Sequence, residues 1–272
     1  MSFTVLKNGN LLTFSILDFI NEWNVTGGLV NSVSYSNLIV SFSDLENGNI
    51  LAGRADGPIE ILNSSLTTLQ TLYGHSEYVK VILTLSYDSF ASGSKDDSIK
   101  IWKNNMSNES WTCVYTLKGH NGDILDLALS TNANTLISSS SDSTIKIWNF
   151  KTGQLIESLL SHQAPVNSLV GLKNNQFAAG SDDTEITIWN LNNTTKVKTL
   201  NATSQVNVLA VSKNWLISGT NKDNSLTIWN ADTFEKIRII RLNSEKITSL
   251  AVWNDNFLVV GSFGKGAIII SI

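Results

Sequence analysis

The 272-residue sequence is poor in most of the features that mark a function. It has one cysteine, Cys113, and three histidines. No disulfide can close within the chain, and a Cys/His zinc cage would lack ligands. Only two prolines occur, which excludes proline-rich and collagen-like classes. Charged residues are 15% of the chain, the net charge is −4, and no run of five Lys/Arg appears. Duplex binding requires several phosphates to be neutralised, so a nucleic-acid role lacks its electrostatic basis. No apolar run approaches the roughly 18 residues of a membrane span. Met1 to Asn10 show no positive stretch leading into an apolar one, as a secretory leader would. No GxGxxG or GxxxxGK[ST] phosphate loop is present. No cofactor, no metal and no membrane contact are expected, and the location expected is cytoplasmic, with a nuclear one left open.

What is present is a core and a repeat. Hydrophobic residues make up 42% of the chain, enough for a large buried interior. Asn, Ser and Thr supply much of the polar surface. The Asn-X-Ser/Thr triplets at Asn24, Asn63 and Asn108 are read as chance in so Asn-rich a chain. One phrase recurs: Ser98-Ile-Lys-Ile-Trp102, Thr144-Ile-Lys-Ile-Trp148, Glu185-Ile-Thr-Ile-Trp189 and Ser225-Leu-Thr-Ile-Trp229. Phe19-Ile-Asn-Glu-Trp23, Pro58-Ile-Glu-Ile-Leu62 and Gly266-Ala-Ile-Ile-Ile270 are weaker copies. The phrases end at 23, 62, 102, 148, 189, 229 and 270, with steps of 39, 40, 46, 41, 40 and 41. Around each lie alternating short apolar runs and turns rich in Asn, Asp, Gly and Ser, for four strands per unit. No segment keeps a helical period. A four-stranded meander with a repeat of this length predicts β-propeller blades, because each small sheet buries its faces only against neighbours. The fold expected is all-β, a seven-bladed propeller of antiparallel four-stranded blades forming a single domain over 1–272.

The spacing of other residues resembles the WD-repeat (Trp-Asp repeat) β-propeller family over almost the whole chain. The His of Gly74-His75, Gly119-His120 and Ser161-His162 stands at a nearly constant distance before Trp102, Trp148 and Trp189. Asp96, Asp142 and Asp183 stand six before theirs, and Asp56 and Asp223 keep the same place in their units. The chain departs from the pattern where Lys103, Asn149, Asn190 and Asn230 follow the Trp in place of Asp. The first two and last two units lack the His, and Gly264 fills the Asp place in the last. The resemblance implies that His75, Ser92, Asp96 and Trp102 form a hydrogen-bonded structural tetrad, and likewise His120, Ser138, Asp142 and Trp148. A third set, His162, Asp183 and Trp189, is partial because Ala179 replaces the Ser. Ser, His and Asp together also suggest a hydrolase triad. A triad is needed once, however, whereas these residues recur, so the structural reading is preferred and no catalytic residue is assigned. In Asp96-Asp97 and Asp182-Asp183 the second carboxylate of each pair is expected to be solvated turn surface. Cys113 has no local cation or helix end to activate it and is expected to be a small packing residue.

The resemblance also implies which loops share the partner-binding face. By position these carry Tyr78, Lys80, Lys95, Asp123, Ser141, Asp182, Gln205, Lys222 and Lys246. Four are lysines in an acidic protein, which favours a ligand with acidic character. On the other side, the stretch from Trp102 to His120 is longer than the matching stretch from Trp148 to His162. The excess falls in Lys103 to Ser110 and is read as decoration. The function expected is a non-enzymatic scaffold docking proteins or peptides. The alternatives are a substrate-receptor or regulatory subunit of a larger complex, for example a ubiquitin ligase, and a propeller enzyme. Against the ligase role, none of the runs after the Trp residues reads Trp-Asp-X-Arg.

The two ends of the chain pose a separate question. Leu6-Lys-Asn-Gly-Asn-Leu-Leu12 aligns with Leu45-Glu-Asn-Gly-Asn-Ile-Leu51, an offset of 39 that puts Met1 level with Val40, inside a first strand. Rings of this family usually close by an N-terminal segment supplying the outer strand of the last blade. Here the expectation is a three-stranded last blade with Ala267 to Ile270 unpaired outward. Its missing strand would come from further sequence of a longer parent protein, from a partner, or from a second copy.

Overall fold

The computed structural model describes every residue except 1, 15–18, 25, 106, 108–109, 131–134, 244–245, 254–256, 263–265 and 272. Gly264, placed above in the repeat Asp position, therefore lies outside the described residues, as do Met1, Asn108 and Ile272. The fold is all-β, a seven-bladed propeller, and no helix occurs among the described residues. Two compact units make up the chain, Met1–Leu127 and Ala128–Ile272.

In the first unit, one sheet is β1 (Ser2–Val5), β2 (Leu11–Phe14), β3 (Phe19–Trp23) and β4 (Leu29–Ser34). The second is β5 (Ile39–Asp44), β6 (Ile50–Arg54), β7 (Ile59–Leu62) and β8 (Thr68–Leu72). A third is β9 (Val79–Ser86), β10 (Ser89–Ser94), β11 (Ser98–Asn105) and β12 (Ser110–Lys118). The fourth sheet starts at the junction of the units with β13 (Ile124–Leu129) and continues with β14 (Leu136–Ser140), β15 (Thr144–Asn149) and β16 (Gln154–Leu160). In the second unit follow β17 (Val166–Leu172), β18 (Gln176–Ser181), β19 (Glu185–Asn190) and β20 (Thr195–Asn201). The sixth sheet is β21 (Val206–Ser212), β22 (Trp215–Thr220), β23 (Ser225–Asn230) and β24 (Lys236–Arg241). The seventh has three strands: β25 (Ile247–Trp253), β26 (Phe257–Ser262) and β27 (Gly266–Ser271).

Each sheet is a meander, and in the second to sixth sheets most of the second and third strands is buried on both faces, which explains their unbroken apolar and small-residue runs. β10, Ser-Phe-Ala-Ser-Gly-Ser, is buried throughout, as are four central residues of Thr-Ile-Lys-Ile-Trp-Asn in β15. Fourth strands are exposed over most of their length. Sheets pack face to face through a small residue on the second strand. A Cβ on Gly93 would lie 2.5 Å from Ile124 Cγ2, and one on Gly180 would lie 2.4 Å from Val206 Cγ1. Only glycine lets these faces meet.

Turns follow the same rule in sheet after sheet. The repeat Asp accepts the backbone N–H two residues on: Ser98 N to Asp96 Oδ1 at 3.1 Å, Thr144 N to Asp142 Oδ1 at 2.9 Å, Glu185 N to Asp183 Oδ1 at 3.0 Å. This is an Asx turn, and it tips the next residue into the left-handed region: Asp97, Ser143 and Thr184 have φ of 63, 67 and 74°. The Asn after the third strand makes a second Asx turn. Asn24, Asn63, Asn149, Asn190 and Asn230 each accept an N–H two residues on, at 2.8–3.0 Å. Asn thus fills the position after the Trp that Asp takes in the family, and Asn24 and Asn63 owe their place to this turn.

In the third sheet, Lys103 stands after the Trp and the same bond appears two residues later, Ser107 N to Asn105 Oδ1 at 3.1 Å. There the β11–β12 ladder continues past Trp102 through Lys103↔Thr112 to Asn104↔Trp111 and Asn105↔Ser110, whereas the β15–β16 ladder stops at Asn149↔Gln154. Two added pairs account for the extra length. The lengthened hairpin also buries Trp111, whose ring centroid lies 5.0 Å from that of Phe90.

Candidate functional site

In the third sheet the four residues form one continuous chain. Trp102 Nε1–H donates to Ser92 Oγ at 2.8 Å, Ser92 Oγ meets His75 Nε2 at 2.8 Å, and His75 Nδ1 meets Asp96 Oδ2 at 2.8 Å. An imidazole protonated on Nδ1 satisfies every step, donating to Asp96 and accepting from Ser92. The elements fix the parts: His75 lies in the turn before β9, Ser92 on β10, Asp96 in the β10–β11 turn and Trp102 on β11. Burial pushes the Asp96 carboxyl up, but hydrogen bonds from His75, Ser98 and the Ser76 N–H outweigh it and hold the acid well below its ordinary value.

Ser–His–Asp in this order is also the hydrogen-bond order of a hydrolase triad. Access separates the two. Ser92 is 0% exposed and the His75 side chain is 0% exposed. The indole N–H already occupies the serine oxygen, so no substrate carbonyl reaches it.

The fifth sheet builds the same chain with a different residue. His162 Nδ1 meets Asp183 Oδ2 at 2.8 Å, His162 Nε2 meets Thr187 Oγ1 at 2.9 Å, and Trp189 Nε1–H donates to Thr187 Oγ1 at 3.0 Å. Ala179, which replaces the Ser, pairs with Thr187 across the β18–β19 ladder. The hydroxyl has moved to the neighbouring strand and reaches the same two partners. This copy, incomplete by sequence, is complete in space. Burial raises the Asp183 carboxyl, and the Gln163 and Glu185 N–H groups with the facing His162 lower it more. His162, Asp183 and Glu185 bring possible ligand atoms within 4.8 Å of one another, but Asp183 and Thr187 occupy both ring nitrogens of the His.

Elsewhere parts of the network persist. Trp148 donates to Ser138 Oγ at 2.8 Å, and Thr144 Oγ1 donates to Asp142 Oδ1 at 2.7 Å; His120 is buried. Trp229 donates to Ser218 and Trp23 to Thr13, both at 3.0 Å. In the sixth sheet, which lacks the His, Thr203 meets Ser225 at 3.0 Å and Ser225 donates to Asp223 at 3.1 Å. Burial raises Asp223, and the Thr203, Thr220 and Ser225 hydroxyls bring it below its ordinary value. The second sheet solves the problem with charge. Tyr35, as far before Leu62 as His75 is before Trp102, donates to Glu60, and Arg54 bonds both Asp56 and Glu60. Glu60 is 4% exposed and also accepts from Thr68 at 2.8 Å. The sequence reading passed over Tyr35, although its spacing before Leu62 marks the place of the His; nothing short of strand register could have pointed to Thr187.

The surface positions divide between the units. In the first, Lys95 Nζ sits 5.9 Å from the Tyr78 ring centroid, and Lys95 N–H donates to the Tyr78 carbonyl at 2.9 Å. Tyr78 is 41% exposed, and Lys80 is exposed beside it. Asp123 is half-buried. In the second unit, Lys222 and Lys246 are exposed, and Ser141, Asp182 and Gln205 are half-buried. Asp182 is held by Asn167 at 2.7 Å, and Asn167 also donates to the Val206 carbonyl of the next sheet at 2.9 Å. Cys113 corrects the expectation of a packing residue. It is exposed on β12, because that face of a fourth strand meets solvent, and its thiol lies 3.3 Å from the Tyr115 carbonyl.

Seven short meanders, following one another along the chain, define a β-propeller built from repeats. The family model described as "WD domain, G-beta repeat" matches residues 66–103, 111–149 and 153–190, and the chain is a WD-repeat β-propeller. Ribosome biogenesis protein YTM1 of Meyerozyma guilliermondii is 26% identical over 179 residues, 64% of this chain and 38% of that protein. Apoptotic protease-activating factor 1 of Homo sapiens is 30% identical over 145 residues, 53% of this chain and 11% of that one. The ribosome biogenesis protein WDR12 homolog of Anopheles gambiae is 27% identical over 176 residues, 56% of this chain and 41% of its own length. The chain thus spans less than half of each of these relatives. A chain in the "Crystal Structure of Mitotic Checkpoint Complex" shares the fold, with a TM-score of 0.88 at 21% identity, covering 100% of this chain and 86% of that one.

Proposed function

We propose that the chain is a non-enzymatic interaction scaffold, acting as one domain that docks protein or peptide partners through the loops beside the repeat His and Asp. The observation that carries this reading is a division of labour. Ser92, His75 and Thr187, the residues with catalytic chemistry, are buried in chains that repeat between sheets. The neighbouring loop positions Tyr78, Lys80 and Lys95 are exposed. In this reading the Ser–His–Asp chains are structural and set the loop that carries Tyr78. Two lysines beside an exposed aromatic suit a ligand of acidic character, with the ring as its apolar anchor. The relatives' names speak of ribosome biogenesis and of protease activation. Two of them are named for ribosome biogenesis, which supports a nuclear location as readily as a cytoplasmic one.

The test is affinity capture from extract with mass spectrometry, comparing wild type with the Tyr78→Ala/Lys95→Ala double variant. The expected outcome is a folded variant that loses a partner retained by the wild type. Identical partner sets, with cross-links lying wholly away from these loops, would overturn the reading.

A further inference from the structure

The fourth strands differ in charge. β20 and β24, of the fifth and sixth sheets, carry Lys196, Lys198, Lys236, Arg238 and Arg241, all exposed, and no carboxylate. The four other fourth strands together carry one cation, Lys118, and one acid, Glu157. Among the described residues, none of the five cations enters an ion pair. Cations on an outer strand can serve to discourage strand addition. Acids would meet that purpose equally well, and every outer strand would need it. Here one sign is gathered on the outer strands of two successive sheets, in a chain whose net charge is −4.

Three of these cations share one seam. Along β20, Lys198 pairs with Ile188 and Leu200 with Ile186. Ile186, Ile188 and Leu200 pack in one cluster with Trp229 and Phe234 of the sixth sheet. Lys198 therefore projects toward that sheet: its Nζ donates to the Thr233 carbonyl at 3.0 Å and lies 6.0 Å from the Phe234 ring centroid. From the sixth sheet, Lys236 Nζ lies 5.0 Å from the Trp229 ring centroid. Ile239 and Arg241 pair with Thr227 and Ser225, two and four residues before Trp229, and so share its face. The seam between β20 and β24 is thus lined by Lys198, Lys236, Ile239 and Arg241. Ile239 is the departure that points to a ligand. At its position the five other fourth strands carry Ser32, Thr71, Thr116, Ser158 and Thr199. Ile239 is 40% exposed, whereas Thr227 across the ladder is buried. Asp232 and Glu235, in the adjoining turn, are exposed and form no ion pair with these cations.

We propose that this seam binds an extended acidic segment of a partner polypeptide, with carboxylates toward its two ends and an aliphatic side chain between them. Lys198 and Lys236 hold one end, Arg241 holds the other, and Ile239 takes the aliphatic. Lys236 to Arg241 span about 17 Å of strand, the length of about five extended residues. The two ammonium groups rest on aromatic rings, which orders them before a ligand arrives. Arg241 offers a carboxylate its planar fork. A single nucleic-acid strand suits the seam less, because it binds by stacking bases on exposed aromatics. Phe234 and Trp229 are 8% and 4% exposed, and the apolar side chain offered to a ligand is an aliphatic one. The site shares no residue with the Tyr78 loops, so either proposal can fail alone.

The probe is a capped, dye-labelled peptide, Glu-Asp-Thr-Val-Thr-Asp-Glu, whose palindromic order meets the seam in either direction. Its binding to the intact chain is followed by fluorescence anisotropy at low salt, and each variant is checked by melting. The expected result is saturable binding that weakens as salt rises. Replacing the central Val of the peptide by Ser, at unchanged charge, should weaken binding at least about threefold. Ile239→Thr should weaken it similarly and remove the preference for Val over Ser. Lys198→Gln/Arg241→Gln should weaken it at least about tenfold, whereas Lys198→Arg/Arg241→Lys should retain it. Arg241→Gln alone, at an exposed side chain, carries the charge test if the double variant melts early. Tyr78→Ala/Lys95→Ala should leave binding of the probe unchanged. Indifference of binding to Ile239→Thr, or to the glutamine substitutions in a folded variant, would overturn the proposal. So would an oligouridylate of equal charge bound as tightly as the peptide.

Discussion

The third and fifth sheets make the same buried chain from different residues. In the third, the hydroxyl between His and Trp comes from Ser92 on the second strand; in the fifth, it comes from Thr187 on the third. Because the two positions face each other across the ladder, an oxygen from either one reaches the same point. The comparison shows that the repeat conserves a location for an oxygen atom. The residue number that supplies it is secondary.

The largest test of this equivalence removes that oxygen. Ser92→Ala and Thr187→Val should each cost about 2–3 kcal/mol in denaturant unfolding, since each leaves an imidazole nitrogen and an indole N–H buried without a partner. Adding Ala179→Ser to Thr187→Val should recover much of the loss. A Thr187→Val cost below about 0.5 kcal/mol would break the comparison.

A second test moves to the acid end of the hydrogen-bonded chain. Asp96→Asn and Asp183→Asn should each cost about 1–3 kcal/mol near neutral pH. Both acids titrate below their ordinary value of 3.8 when folded. Their stabilisation is therefore complete above the unfolded value and is lost as pH falls through the folded one. Melting series in acid should show a shallower decline below about pH 4 for either Asn variant than for the wild type.

The smallest effect sharpens the contrast between the two turns. Thr184 and Asp97 follow the repeat Asp with φ of 74 and 63°, a conformation that costs an L-residue about 1–2 kcal/mol and a β-branched one most. Thr184→Gly should raise stability by up to about 1 kcal/mol and Asp97→Gly by less, measured by melting. The reverse order would show that side-chain contacts, not backbone strain, govern these turns.

The fold was legible because its signal is periodic. Seven phrase endings gave the seven third strands, and the turn residues between them gave the rest of each meander. Missing from the sequence reading were facts that exist only across a ladder. Ala179 looked like a loss because its cross-strand neighbour Thr187 belongs to the next strand. Lys103 to Ser110 looked like a loose insertion because pairing of Asn104 with Trp111 cannot be read along one strand. Cys113 looked buried because its neighbours are apolar, yet a fourth strand turns that side outward.

The β11–β12 hairpin shows how this architecture accommodates extra chain. Its two added pairs leave the Trp102 bond to Ser92 and the pairing of Ile99 with Leu117 in the same form as in the fourth sheet. Growth took place in facing pairs, beyond the Trp and away from the buried network. For protein engineering, the end of the hairpin beyond the Asn105–Ser110 pair is a natural graft point. A foreign loop or tag flanked by an even number of paired residues would extend the hairpin without shifting the alternation of the strands beneath it.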